Sequence, residues 1–106
     1  KDDDSKKIDI RPENLEFVKK GLRRVVEAGT GMMINYESNN LPPVSGKTGT
    51  AEDGTGGLDH AWFVCYAPSN KPELVVVAFA ENTPGGGARH ALPMARKILN
   101  VWNATR

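Results

Sequence analysis

The chain has 106 residues, of which 39% are hydrophobic and 25% are charged, a composition typical of one small globular domain. Fourteen Lys and Arg residues against 13 Asp and Glu residues give a net charge of +1. This balance argues against nucleic-acid binding, because no basic field is available to neutralise a run of phosphates. No run of about 18 or more apolar residues is present, so no contact of this chain with a membrane is predicted.

The first predicted element is a helix over residues 12–28, which follows a charged N-terminal lead at residues 1–11. Its apolar positions recur at the spacing of an amphipathic helix: Leu15, Val18, Leu22, Val25 and Val26. Pro12 suits the first helical turn, where its missing N–H has no partner to lose. Gly29 is predicted to end the helix in a left-handed conformation.

The middle of the chain is predicted to contain the first strand. Pro42 and Pro43 cannot continue a helix and deliver the chain in an extended form into a strand at residues 44–51. Residues 52–59 are rich in glycine and are predicted to form a mobile surface loop.

Two apolar runs, at residues 61–67 and 73–81, predict a hairpin because residues 68–72 form a turn-prone cluster between them. The single Cys65 cannot form an internal disulfide, and its apolar neighbours predict a buried thiol. In the second run both alternating sets of residues are apolar, so both faces of that strand are expected to be covered.

The last element is a helix predicted over residues 88–103, with Pro93 placed in its first turn, where proline is tolerated. Its apolar face consists of Leu92, Ala95, Ile98, Leu99 and Trp102. The order helix, strand, strand, strand, helix predicts the α+β class: a three-stranded antiparallel sheet with helices packed on it.

The strand at residues 44–51 carries the main candidate site. Lys47, Thr48, Gly49 and Thr50 supply a cation, two hydroxyls and a glycine that lets a ligand approach the backbone. Such a strand can receive an extended peptide carboxylate by strand addition. The alternative is an edge strand of small polar residues with an exposed lysine.

The run Gly46-Lys47-Thr48 also suggests a phosphate-binding loop of nucleotide-binding proteins. That motif needs a glycine five positions before Gly46, and Leu41 stands there. Pro42 and Pro43 also remove two backbone amides from the loop that would hold the phosphates. The nucleotide-binding interpretation is therefore rejected.

No metal or cofactor site is predicted. His60, His90 and Asp59 are the candidate ligands, but the two histidines lack the paired spacing of metal-binding motifs. Three consecutive glycines at residues 85–87 precede the last helix. An anion site at that helix terminus is one interpretation, and a flexible turn into the helix is the favoured one.

The chain resembles the C-terminal part of the transpeptidase domain of class B penicillin-binding proteins, and is most similar to those of the elongation type. The Lys-Thr-Gly signature at residues 47–49 is a motif of this superfamily. Cys65 stands where the family more often has glycine. The matching segments are, in chain order, residues 12–26, 29–31, 45–52, 60–68, 72–82 and 86–99.

The resemblance implies that the chain is one part of the penicillin-binding, β-lactamase-like serine transpeptidase fold. The parent protein would be a D,D-transpeptidase that cross-links peptidoglycan stem peptides through a serine acyl-enzyme and binds penicillin. Its location would be the bacterial cell envelope, on the extracytoplasmic side of the membrane, with the anchor outside this chain. The implied partners are stem peptides, β-lactams and the remainder of the domain.

The resemblance also implies roles for individual residues. Lys47 matches a lysine that lies beside the catalytic serines and helps to set charge and proton transfer. Thr48 and Thr50 match hydroxyls that hold the carboxylate of the donor peptide or of a penicillin, and Gly49 keeps the approach clear. The backbone N–H of Thr50 matches an oxyanion-hole donor.

The chain departs from the family pattern in one respect, because it contains no Ser-x-x-Lys motif and therefore no nucleophile. Ser5 fails the spacing, and Ser38-Asn39-Asn40, which has the letters of the second family motif, lies too close to Lys47. The chain alone is therefore predicted to be inactive. Two alternatives remain: a β-lactam or peptide sensor module, and a serine carboxypeptidase or β-lactamase of the same superfamily.

Overall fold

The computed structural model describes residues 3–35, 40–51, 59–81 and 87–106. It contains two helices, one 3₁₀ helix and three strands in these ranges, and the predicted α+β class is confirmed. The elements are α1 (Pro12–Ala28), a 3₁₀ helix (Met32–Asn35), β1 (Ser45–Ala51), β2 (His60–Ala67), β3 (Leu74–Ala80) and α2 (Gly87–Ala104).

The three strands form an antiparallel sheet in the order β1-β2-β3. Paired residues on neighbouring strands share a face of the sheet, and successive residues along a strand point to opposite faces. The inner face carries the rows that include Phe63 and Cys65, with Gly46 opposite Cys65. The outer face carries the rows that include Lys47, Trp62 and Val64.

The inner face and the helices share one buried cluster. Phe63, Cys65 and Ala78 of the sheet belong to it together with Val26 of α1 and Leu92 of α2. Burial of this apolar surface is the main force that holds the helices on the sheet. The core therefore lies directly behind β1 and β2 and fixes the position of β1.

The outer face of the sheet is not covered by any described element. Val75 and Val77 of β3 are 64% and 57% exposed, and Phe79 and Trp62 are also partly exposed. The prediction that both faces of β3 are covered is therefore wrong for the described part of the chain. The reason is that both helices pack against the inner face, in a single cluster. They therefore cover the inner face of β3 and leave its outer face exposed.

Helix α1 is embedded in the core only at its C-terminal end. Val26 is buried, whereas Leu15 and Val18 are exposed. The prediction that Gly29 ends the helix in a left-handed conformation is wrong, because Gly29 has φ −111° and ψ −153°. Its lack of a side chain serves close packing instead: a Cβ there would lie 3.1 Å from the backbone of Val25.

Helix α2 starts at Gly87, one residue before the predicted start, and Pro93 lies inside it. The prediction that Pro93 lies in the first turn is therefore wrong. An interior proline removes a helical hydrogen bond, which costs about 3 kcal/mol. Burial of Leu92, Ala95 and Leu99 on the core side of α2 offsets this cost.

None of the helices in the described ranges has the length and apolar character needed to cross a lipid bilayer. Three segments with sequence-based interpretations lie wholly or partly outside the described residues. They are the glycine-rich loop at 52–59, the Ser-Asn-Asn run at 38–40 and the glycines at 85–87.

Candidate functional site

The N-terminal end of β1 is fixed by polar contacts on both sides. Ser45 is fully buried, and its hydroxyl lies 2.6 Å from the hydroxyl of Ser69 in the β2–β3 turn. The backbone N–H of Ser69 donates to Pro43 O at 2.8 Å. Arg23 of α1 donates from Nη1 to Val44 O at 2.7 Å. These bonds join β1 to the turn and to α1 immediately before the Lys-Thr-Gly motif.

Gly46 lies where β2 leaves no room for a side chain on β1. A Cβ at this position would lie 2.5 Å from Val64 O, 2.9 Å from Cys65 Cβ and 3.0 Å from Phe63 Cζ. No side chain fits at these distances without displacement of backbone. The glycine therefore lets β1 lie against β2 in the register that places Lys47 opposite Val64.

The predicted site residues follow Gly46 on the same strand. Lys47 points to the outer face, is exposed, and donates from Nζ to Thr48 O at 3.0 Å. Thr48 and Thr50 belong to the inner-face rows, opposite Phe63 and Ala61. The structure thus brings the four predicted residues together on one strand but divides the lysine from the two threonines by face.

Gly49 differs from Gly46 in its surroundings. It lies opposite Trp62, and among the described residues a Cβ at Gly49 would meet only Trp62 Cβ, at 3.7 Å, which is ordinary van der Waals distance. These residues therefore leave room for a methyl group at Gly49. Trp62 packs against Phe79 with ring centroids 4.4 Å apart and forms an aromatic surface beside this strand.

The Thr48 hydroxyl has a partner from a distant part of the sequence. Thr30, in the turn after α1, places its Oγ1 at 2.7 Å from Oγ1 of Thr48. Either hydroxyl can donate in this pair. Thr30 is exposed and Thr48 is half-buried, so the pair lies at the protein surface, on the inner-face side of β1.

A groove of about 600 Å³ lies at the N-terminal end of β1, and residues 47–50 do not line it. Lys19, Lys20 and Arg23 of α1 face Ser45 and Tyr66 across it. The groove is therefore separate from the motif.

No group of three or more His, Cys, Asp or Glu side chains in the described ranges could hold a metal ion. The neighbouring Cys65 is fully buried as predicted, and this burial raises the pKa of its thiol to about 12, against a weaker opposite effect of a backbone hydrogen bond with Val76. A neutral thiol at this position is a packing residue and not a nucleophile.

Sequence reasoning missed three residues that fix β1: Arg23, Thr30 and Ser69. Each contacts β1 or the residues just before it across a long sequence separation, for example 18 residues between Thr30 and Thr48. Thr30 is part of a Gly-Thr-Gly run that carries the family resemblance, but the run alone does not reveal which atom its hydroxyl contacts.

The fold and sequence match known proteins. The chain matches the family model described as the penicillin binding protein transpeptidase domain over residues 1–100. It is 40% identical over 103 residues to the peptidoglycan D,D-transpeptidase MrdA of Haemophilus influenzae, covering 82% of this chain and 15% of the relative.

Two solved structures share the architecture. Penicillin-binding protein 2B from Streptococcus pneumoniae superposes with a TM-score of 0.78 at 28% identity, covering 94% of this chain and 17% of that chain. Pseudomonas aeruginosa PBP2 in complex with WCK 5153 superposes with a TM-score of 0.74 at 32% identity, covering 87% and 19%.

The chain thus spans less than a fifth of the length of these proteins. The family model nevertheless covers most of the chain. The resemblance to penicillin-binding proteins inferred from residues 47–49 and their neighbours is confirmed, and the chain belongs to the penicillin-binding protein transpeptidase domain family.

Proposed function

We propose that this chain is the C-terminal part of one transpeptidase domain in a longer protein, called the intact protein below. The intact protein cross-links peptidoglycan stem peptides through a serine acyl-enzyme and is acylated by β-lactams at the cell envelope, on the extracytoplasmic side. The observation that carries this proposal is the placement of residues 47–50 on an edge strand of the described sheet, in a chain whose relative is named a D,D-transpeptidase.

Substrate binding is assigned to the second half of β1. An extended peptide can align with an edge strand by backbone hydrogen bonding. Gly49 has no side chain to keep the peptide away, and the space above it supports this role. The hydroxyls of Thr48 and Thr50 lie in the same inner-face rows, and we assign to them the carboxylate of the donor peptide or of a penicillin.

Two groups of β1 are assigned to the chemical step. Lys47 is an exposed cation on the outer face, where it can lower the cost of deprotonating a nearby serine and take part in proton transfer. The backbone N–H of Thr50 is assigned as one donor to the oxyanion that forms when the serine attacks the carbonyl carbon. Both assignments require a nucleophile beside β1.

That nucleophile is assigned to the remainder of the domain, because residues 1–106 contain no Ser-x-x-Lys motif. The uncovered outer face supports the same assignment, since Trp62, Val64 and Val77 form an apolar surface next to Lys47. Contiguous exposed apolar surface marks an interaction site. The remainder of the domain would cover this face and bring the serine to Lys47.

Labelling with a fluorescent penicillin, followed by denaturing electrophoresis, tests the proposal. We expect the intact protein to give a covalently labelled band and the isolated 106-residue chain to give none. An unlabelled intact protein would contradict penicillin binding, and a labelled isolated chain would contradict the absence of a nucleophile. The lifetime of the label separates the enzyme classes: rapid loss would identify a β-lactamase.

A further inference from the structure

We propose that Thr30 is a positioning residue for the carboxylate site: its hydroxyl orients the hydroxyl of Thr48 so that the Thr48 proton points to the ligand carboxylate. This inference rests on the proposed function, because it assigns the carboxylate to Thr48. The observation behind it is the 2.7 Å contact between the two Oγ1 atoms.

Thr30 is held in place by the turn that carries it. The N–H groups of Gly29 and Gly31, on either side of Thr30, both donate to Val25 O at 3.0 Å. Ile34 N donates to Gly31 O at 3.1 Å, and the Ile34 side chain is fully buried. The turn is therefore tied to α1 on one side and to the core on the other.

The two glycines allow this turn to lie close to α1. A Cβ at Gly31 would lie 3.0 Å from Val25 Cγ1 and 3.3 Å from Val26 Cγ2. Larger residues on either side of Thr30 would push the turn away from the helix. The backbone of Thr30 is thus held against α1, while the backbone of Thr48 is held by its pairing with β2.

The direction of the hydrogen bond between Thr30 and Thr48 determines how Thr30 affects the binding of a ligand. A threonine hydroxyl has one proton and two lone pairs. When a carboxylate accepts the proton of Thr48, the contact with Thr30 persists only if Thr30 donates to Thr48. Donation from Thr30 then polarises the Thr48 hydroxyl, which strengthens its bond to the anion. The effect of Thr30 therefore depends on a negative charge in the ligand.

A charged and a neutral ligand can be compared on the intact protein to test the role of Thr30. Second-order acylation rate constants are measured with benzylpenicillin and with its neutral methyl ester, for the wild type and for Thr30→Val. Valine keeps the shape of threonine but has no hydroxyl. We expect Thr30→Val to lower the rate with the acid about fivefold, the value of one hydrogen bond, and to leave the rate with the ester within about twofold.

Two further variants complete the set. Thr30→Ser retains the hydroxyl and is expected to restore the rate with the acid. Thr105→Val is the matched control, because it removes a threonine hydroxyl that donates to Trp102 O at 2.8 Å near the end of the chain. It is expected to change neither rate, and thermal unfolding of each variant reports whether the fold is retained.

The outcomes separate the two proposals. Equal losses with acid and ester, or no loss with either, in Thr30→Val would overturn the role of Thr30 while leaving the proposed function intact. Failure of Thr30→Ser to recover would also overturn it, because the hydroxyl would then not be the cause. A wild-type protein that neither compound acylates would contradict the proposed function itself.

Discussion

The two halves of β1 differ in how much freedom their surroundings leave. At Ser45 and Gly46 the strand is buried. Ser45 is hydrogen-bonded to the β2–β3 turn, and Gly46 is too close to β2 for a Cβ. From Lys47 to Thr50 the same strand is exposed or half-buried, and a Cβ at Gly49 has room. Two glycines three positions apart therefore have different reasons to be glycine.

This difference indicates how a rigid site can be built on an edge strand. Binding and catalytic groups need positions that are fixed to within a fraction of an ångström. The buried half of β1 supplies that rigidity, so the exposed half can present its groups without being covered. Substitutions in the buried half should therefore affect stability, and substitutions in the exposed half should affect function.

Among the variants, Lys47→Ala is expected to have the largest effect, which is a lower rate of acylation of the intact protein. We expect the acylation rate with a fluorescent penicillin to fall by about a hundredfold or more, the usual contribution of a proton-transfer group. The thermal unfolding midpoint should change little, because the hydrogen bond of Lys47 that the described residues contain is a local one, to the adjacent Thr48 O.

Lys71→Ala is the matched control for this prediction. Lys71 is exposed in the turn between β2 and β3, away from residues 47–50 in the strand register. Its replacement should leave the acylation rate unchanged. Unaltered acylation in Lys47→Ala would remove the assigned role of Lys47 and, with it, the functional half of the contrast.

Gly46→Ala should destabilise the fold by about 1–3 kcal/mol, the usual cost of overpacking a close-packed site. The reason is that the new Cβ, which is attached directly to the backbone of β1, would lie 2.5 Å from Val64 O, a backbone atom of the paired strand β2. Chemical denaturation of the intact protein, followed by a probe in this domain, measures the loss. Wild-type stability in this variant would show that β1 and β2 separate without cost.

Gly49→Ala is expected to give the opposite result. Within the part of the chain that the structure describes, its Cβ meets only Trp62 Cβ, at 3.7 Å, so the free energy of unfolding should change by less than about 1 kcal/mol. The acylation rate should fall about tenfold, because the methyl group holds the ligand backbone away from the strand. If Gly46→Ala and Gly49→Ala gave the same ratio of stability loss to rate loss, the division of β1 into two halves would be wrong.

The smallest expected effect near neutral pH is on the free energy of unfolding, and it comes from Cys65, which lies opposite Gly46. Burial raises the pKa of this thiol from the ordinary value of 9.0 to about 12 in the folded state. Folding therefore favours the protonated thiol, and its contribution is fully present below pH 9 and is lost as the pH rises towards 12. Cys65→Ala should flatten this alkaline decline in denaturant titrations.

Thiol labelling gives an independent check on Cys65. The folded protein should not react with a thiol reagent at pH 8, whereas the unfolded protein should react rapidly. Rapid reaction of Cys65 in the folded protein would place it outside the core.

The order of elements could be predicted because it depends on local patterns. Apolar residues at helical spacing gave α1, and two apolar runs around a turn gave the β2–β3 hairpin. The predictions for Gly29 and Pro93 failed because both were assigned from local preferences. Close packing against Val25 and burial of α2 decide their conformations, and neither is visible in the nearby sequence.

The candidate site likewise has one part that local sequence predicts and one part that depends on tertiary contacts. Lys47, Thr48, Gly49 and Thr50 are consecutive, so the sequence alone could put them on one strand. The contact of Thr30 with Thr48 depends on how the turn after α1 is placed over β1. The apolar pattern of β3 likewise indicates that two faces require cover but does not indicate which segment covers each face.

We propose that residues 1–106 supply the substrate-binding strand of the intact protein and not its nucleophile. The most direct measurement is to acylate the intact protein with penicillin, digest it, and locate the modified residue by mass spectrometry. We expect a penicilloyl ester on a serine outside residues 1–106. A penicilloyl ester on Ser45, Ser69 or another residue of this chain would contradict it.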